Sequence, residues 1–122
     1  MANEIKVNAA VSYADSEGAK TLLEIVDLLA SVSTKKYVQA KQNIGTSEEA
    51  IGLGEVTSLG LGIFINRDST NFIELRTGTG GTKFAKIAAG RLAIFWFGSG
   101  ITAPFAIADT AACQMEYLII ST

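Results

Sequence analysis

Apolar and polar residues alternate along much of this chain, and a period of two marks a half-buried strand rather than a helix. From Ile5 to Tyr13 the residues Ile5, Val7, Ala9, Val11 and Tyr13 alternate with Lys6, Asn8, Ala10 and Ser12. A turn over Asp15 to Gly18 follows. Thr21 to Val32 reads two ways: Leu22, Ile25, Val26 and Leu29 make a helical stripe, whereas Leu22, Glu24, Val26, Leu28, Ala30 and Val32 make a strand with unequal faces. The strand is preferred because its neighbours are strands, with a lone amphipathic helix as the rival. Tyr37 to Ile44 predicts a further strand. Gly45-Thr-Ser-Glu-Glu-Ala-Ile51 predicts a connector in which Thr46 or Ser47 caps one short helical turn. Leu61 to Ile65, a turn over Asn66 to Asn71, and Phe72 to Arg76 read as a hairpin, and Thr77 to Thr82 as a flexible glycine-rich link. Lys83 to Ile87, a turn at Ala89-Gly90-Arg91, and Leu92 to Phe97 read as a second hairpin. Beyond a loop over Gly98 to Pro104 lie Phe105 to Ala108 and a last strand, Cys113 to Ile120. With the chain ending two residues later, that last strand is expected to be tied down in a sheet rather than frayed.

Leu92 to Phe97 breaks the alternation. As a strand it sets Leu92, Ile94 and Trp96 on one face and Ala93, Phe95 and Phe97 on the other, so both faces are apolar and both need covering. The cover is either a second sheet or another subunit. About eight short strands with glycine-rich turns and one proline predict an all-β fold, an antiparallel β-sandwich of jelly-roll type. With 122 residues, the chain is expected to form one domain over 1–122, burying roughly two thirds of its unfolded surface.

Composition narrows the chemistry. Ten Lys and Arg stand against twelve Asp and Glu, a net charge of −2, which provides no positive field for nucleic acid or for an anionic membrane. There is no histidine, so a Ser-His-Asp set is excluded and the carboxylate pairs Asp15/Glu17 and Glu48-Glu49 have no imidazole partner; solvated surface is their default reading. Cys113 is the lone cysteine, and its apolar neighbours predict a buried, unreactive thiol. The start carries Glu4 and goes directly into alternation, unlike a secretory leader, so the mature chain is expected to begin where the gene does. Ala88 to Ala108 is apolar apart from Arg91, but Gly98-Ser-Gly100 and Pro104 interrupt it as a membrane helix.

Two local motifs invite a ligand. Thr77 to Thr82 precedes Lys83 as a phosphate loop would, yet Thr82 stands where glycine is needed and a strand pattern follows instead of a helix. Asn66, Asp68 and Asn71 offer oxygen donors to a hard cation, but with one carboxylate beside Arg67 they read as turn formers. No cofactor, metal or catalytic residue is expected, and the chain is read as a non-enzyme.

From Gly60 onward the sequence resembles a family of small virion proteins of tailed bacteriophages. The likeness is carried by Ile65-Asn-Arg-Asp-Ser-Thr-Asn-Phe-Ile-Glu74, Ala89-Gly-Arg-Leu92, and the alanine-rich Ala106 to Ala112 before the last strand, with Gly45 to Ile51 like the family's middle connector. It covers roughly residues 37 to 122. Arg91 departs from the pattern, which has an acidic residue after that glycine. The resemblance implies a jelly-roll structural protein, a capsid decoration or cement protein on the virion surface, made in the host cytoplasm and bound to the major capsid protein. It implies no catalytic residue. A low-copy tail or head-fibre component and a carbohydrate-binding β-sandwich module remain as alternatives. A homo-oligomer, dimer or trimer, is expected. Its contacts are placed at Phe95, Phe97 and Trp96 and at the first strand, Ile5 and Val7, because an apolar patch of that size is rarely left wet.

Overall fold

The computed structural model describes residues 4–32 and 35–122; the first three residues, on which the reading of the chain's start partly falls, lie outside them. The fold is all-β and antiparallel, as the alternation predicts. It comprises two compact units, Met1–Lys35 and Lys36–Thr122.

The first unit is a two-stranded ribbon, β1 (Glu4–Asp15) and β2 (Gly18–Ser31). The helical alternative for 21–32 is thereby ruled out, and the pairing explains why it arose. Val7 faces Leu28 and Ala9 faces Ile25, so β2 spends one extra residue around Val26 and Asp27. Asp27 takes a left-handed backbone, φ 53°, which aspartate tolerates better than most residues. Its N–H donates to Asn8 Oδ1 at 2.8 Å, and its carboxylate lies 3.4 Å from Lys6 Nζ. This bulge shifts the phase of the alternation by one, which in sequence imitates a three-residue helical spacing.

The second unit holds eight strands in two sheets. One sheet has the order β3-β10-β5-β8, from Tyr37–Ile44, Cys113–Ser121, Leu59–Asn66 and Leu92–Trp96. The other runs β4-β9-β6-β7, from Glu49–Ala50, Phe105–Ala108, Ile73–Arg76 and Lys83–Ile87. Ile44, Phe64, Phe97, Met115, Tyr117 and Ile119 from or beside the first sheet meet Ile73, Leu75, Ile87, Ala106 and Ala108 of the second in one core. A β-sandwich over 36–122 follows; residues 4–31 pair only with each other. β10 lies between β3 and β5, so the last strand is tied down as expected.

Three local expectations are corrected. The turn after β5 and the turn after β7 do not close hairpins, since β5 and β8 belong to one sheet and β6 and β7 to the other. Each turn carries the chain across the sandwich, and the true hairpin is β6–β7, over the glycine-rich Thr77–Thr82 link. Asn66 anchors the first crossing: it is fully buried, and its Nδ2 donates to the carbonyls of Asn71 at 2.8 Å and Ile87 at 3.1 Å. The third correction is at 45–51, where no helical turn forms; Glu49 and Ala50 pair with Ala106 and Phe105. Glu49 instead accepts from Gly45 N–H and Gln42 Nε2, both at 3.0 Å, which holds the connector extended.

Inside the sandwich the aromatic rings are clustered. Phe95 and Phe97 lie 4.9 Å apart edge to face, Phe64 stacks on Phe95 at 5.6 Å, and Tyr117 stacks on Phe64 at 6.0 Å. Gly62 makes room for them. A Cβ there would lie 2.7 Å from Phe97 and 2.9 Å from Phe64.

Candidate interaction surfaces

Phe95 and Phe97, expected at an interface, are core residues. Phe97 is buried and Phe95 half-buried among the other rings, because β8 turns that face toward the second sheet. Its other face carries what the sandwich leaves uncovered: Leu92, Ile94 and Trp96 are 59%, 49% and 42% exposed.

The register shows how far that surface extends. Trp96 pairs with Leu61, Leu61 with Ile120, and Ile120 with Tyr37, giving one row across all four strands. The next row runs Ile94, Ile63, Leu118 and Gln39, and the third Leu92, Ile65, Glu116 and Lys41. Directly opposed side chains in an antiparallel pair share a face, so these rows lie on one side of the sheet, apolar across β8, β5 and most of β10, with the β8 residues exposed, Ile63, Ile65, Leu118 and Ile120 half-buried and Leu61 buried. Polar groups gather at one corner. Arg67 Nη2 reaches Glu116 at 2.7 Å beside Lys41. A depression of about 180 Å³ lies where the apolar part meets that corner, between Ile63, Ile65, Leu118, Gln39 and Glu116.

The ribbon has a second such surface. Its pairing sets Ile5 against Ala30, Val7 against Leu28, Ala9 against Ile25 and Val11 against Leu23, and the bulge keeps all of them on one face. The opposite face is mixed, with Lys6, Asn8, Ser12, Thr21 and Glu24 beside Ala10 and the exposed Leu29. Ile5 is buried and Val7 half-buried, whereas Val11 and Leu23 are 54% and 56% exposed. Of the anticipated contact residues, Trp96 lies on the outer sheet surface and Ile5 and Val7 on the ribbon face. The sequence reading overlooked Leu23, Ile25 and Leu28, hidden by the bulge. It also overlooked Ile63, Leu118 and Ile120, although Ile63-Phe-Ile65 and Tyr117-Leu-Ile-Ile120 are doubly apolar in the same manner as Leu92 to Phe97.

The oxygen-rich turn is occupied by its own backbone. Asp68 accepts from Asn71 N–H at 2.6 Å and Thr70 N–H at 2.9 Å, and these donors, Asn71 first, hold its carboxyl below the usual range. Asn66 Oδ1 accepts from Asp68 N–H. Glu48 departs from the solvated reading: it accepts from Gly80 N–H at 2.7 Å and pairs with Arg76 at 2.9 Å, which lowers its pKa in that order of effect and ties the Thr77–Thr82 loop down. Cys113 is buried as expected, and burial raises its pKa. Ala88 to Ala108 contains β8, a loop and β9, and among the described residues no helix is long and apolar enough to cross a membrane. No family model, curated protein or solved structure matches the chain.

Proposed function

We propose that this chain is a structural protein of a tailed-phage particle, a capsid decoration or cement protein that binds the outer shell and bridges neighbouring major capsid subunits. The observation that carries the reading is a sandwich with a complete core that still leaves Tyr37, Leu92, Ile94 and Trp96 of its outer sheet face, and Val11, Leu23 and Leu28 of the ribbon, more than 40% exposed. Surfaces of that kind mark association. The turn motifs of residues 65–74 and 89–92 support a virion protein through their likeness to that family. Strand order supports the jelly-roll type: counting only the sandwich strands, the sheets run first-eighth-third-sixth and second-seventh-fourth-fifth, the chain changing sheet at every step except the hairpin from fourth to fifth. Its work is then binding: each copy seated across a subunit boundary adds binding energy that dissociation of the shell must overcome, and many modest contacts repeat over the shell.

The test is the copy number of this chain in purified particles of the phage that encodes it, by quantitative mass spectrometry against the major capsid protein. A ratio near one, or a simple fraction of it, supports a repeating shell component. A few copies per particle would transfer the protein to the tail or a single vertex, and absence would overturn the virion reading.

A further inference from the structure

We infer that two copies of this chain join edge to edge, β8 pairing antiparallel with β8 of a second copy about a two-fold axis at Ile94. This goes beyond the virion reading and does not depend on it.

The sandwich has four outer strands, β3 and β8 in one sheet and β4 and β7 in the other. An outer strand turns a row of unpaired N–H and C=O groups to water and invites another strand unless something blunts it. β4 is only two residues long. β7 carries Lys83 and Lys86 and pairs with β6 through a bulge. On β3, the bond from Ser121 N–H to the Lys36 carbonyl fixes the alternation, so Tyr37, Gln39, Lys41 and Asn43 turn their backbone groups outward, with a lysine in the row. β8 has none of these devices: over Leu92–Trp96 there is no charge, no proline and no break in its register with β5.

The hydrogen bonds identify the groups that β8 offers. Phe97 N–H donates to the Gly60 carbonyl and Asn66 N–H to that of Arg91, both at 2.9 Å. Bonded pairs recur at every second residue, so Ala93 and Phe95 also bond to β5, while Leu92, Ile94 and Trp96 direct three N–H and three C=O groups to the open side. Those groups call for a strand, and β8 of a second copy is complementary to them. With the axis at Ile94, that residue lies opposite itself and Leu92 lies opposite Trp96 of the second copy, so every outward group of both edges is paired. Moving the axis to Ala93 or Phe95 would set Trp96 against Gly90 or Leu92 against Gly98, outside the strand. The opposed side chains are then Ile with Ile and Leu with Trp, exposed in one copy alone and favourable as cross-strand neighbours. Arg91 meets Phe97 and stands six residues, about 20 Å, from its own counterpart, so no like charges are opposed. Pairing β8 with β3 instead would set Lys41 in a row with Leu92, Ile94 and Trp96, and would leave a free edge at each end, an open filament rather than a closed pair.

One strand pair is a small contact, so sedimentation of the full-length chain from about 1 to about 500 μM should show a dimer that dissociates on dilution. Ile94→Cys places two thiols across the axis with Cα atoms about 5.5 Å apart, within disulfide reach, whereas Leu92→Cys places them about 14 Å apart. The native Cys113 is buried. Mild oxidation should crosslink the first variant at least tenfold faster than the second, and an equal mixture of Leu92→Cys and Trp96→Cys chains should give the mixed disulfide. Ile94→Pro removes an outward N–H and no bond to β5, and should lower association at least tenfold with the far-ultraviolet spectrum unchanged. A monomer at the highest concentration, or a dimer in which Leu92→Cys crosslinks as fast as Ile94→Cys, would overturn the proposal whether or not the proline variant folds. If the chain is monomeric yet abundant in particles, the edge pair fails while the shell reading stands; a dimer crosslinked at position 94 but absent from particles gives the reverse.

Discussion

At the scale of single residues the sandwich depends on how small and polar side chains make room for large apolar ones. Gly62 lies opposite Phe95 in a place where two rings converge, and its freedom from a Cβ is steric rather than conformational. Gly62→Ala should therefore destabilise the fold by about 1–3 kcal/mol through displacement of Phe97 and Phe64, read as a lower denaturant midpoint with an unchanged slope. Asn66 is the polar counterpart. Its side chain satisfies two carbonyls and one amide at the crossing between sheets, so an apolar replacement would strand buried acceptors. In sequence Asn66 is one more polar residue in a turn, and Gly62 one more glycine among twelve. Only the position of their neighbours distinguishes them.

At the scale of elements, the turn over Asn66–Asn71 decides which sheet receives the chain, and its strength varies with pH. Amides hold the Asp68 carboxyl below its ordinary range, and those of Gly80 together with Arg76 do the same for Glu48. A carboxyl whose pKa is depressed by folding adds stability above its unfolded pKa and loses it as pH falls through the folded one. The denaturant midpoint should thus drop between about pH 5 and about pH 3, and Asp68→Asn, which keeps an acceptor but cannot titrate, should make that drop shallower. An equal drop in the variant would show that the turn contributes nothing to acid sensitivity. Strand identity was legible at this scale because alternation over Ile5–Tyr13 and Tyr37–Ile44, and short apolar runs bounded by turn residues over Leu61–Ile65 and Leu92–Phe97, both mark strands, and Thr21 to Val32 was the exception because one bulge residue resets the phase. The hairpins were misread for a different reason. Local sequence specifies a turn, but which strand lies beside which is set by distant pairing, such as β5 with β8 across 26 or more intervening residues.

At the scale of the whole molecule, ribbon and sandwich differ in what holds them, because only the sandwich strands share a buried core. Amides of β1 and β2 should exchange faster than those of β5 and β10, which exchange only with unfolding of the sandwich. Equal protection of the two sets would show that the ribbon is held as firmly as the core. The amino-acid sequence by itself determined that the chain is all-β and antiparallel, that the strands after residue 36 are short, that Cys113 is buried, and that Leu92 to Phe97 is apolar on both faces, since each of these follows from local patterning and residue type. Tertiary structure alone decided which face received which cover: Phe95 and Phe97 went to the core and Leu92, Ile94 and Trp96 to the surface. The two faces are equally apolar, and transfer from water has no direction; the choice rests on which side of β8 the second sheet lies, fixed by pairings between residues far apart in the chain.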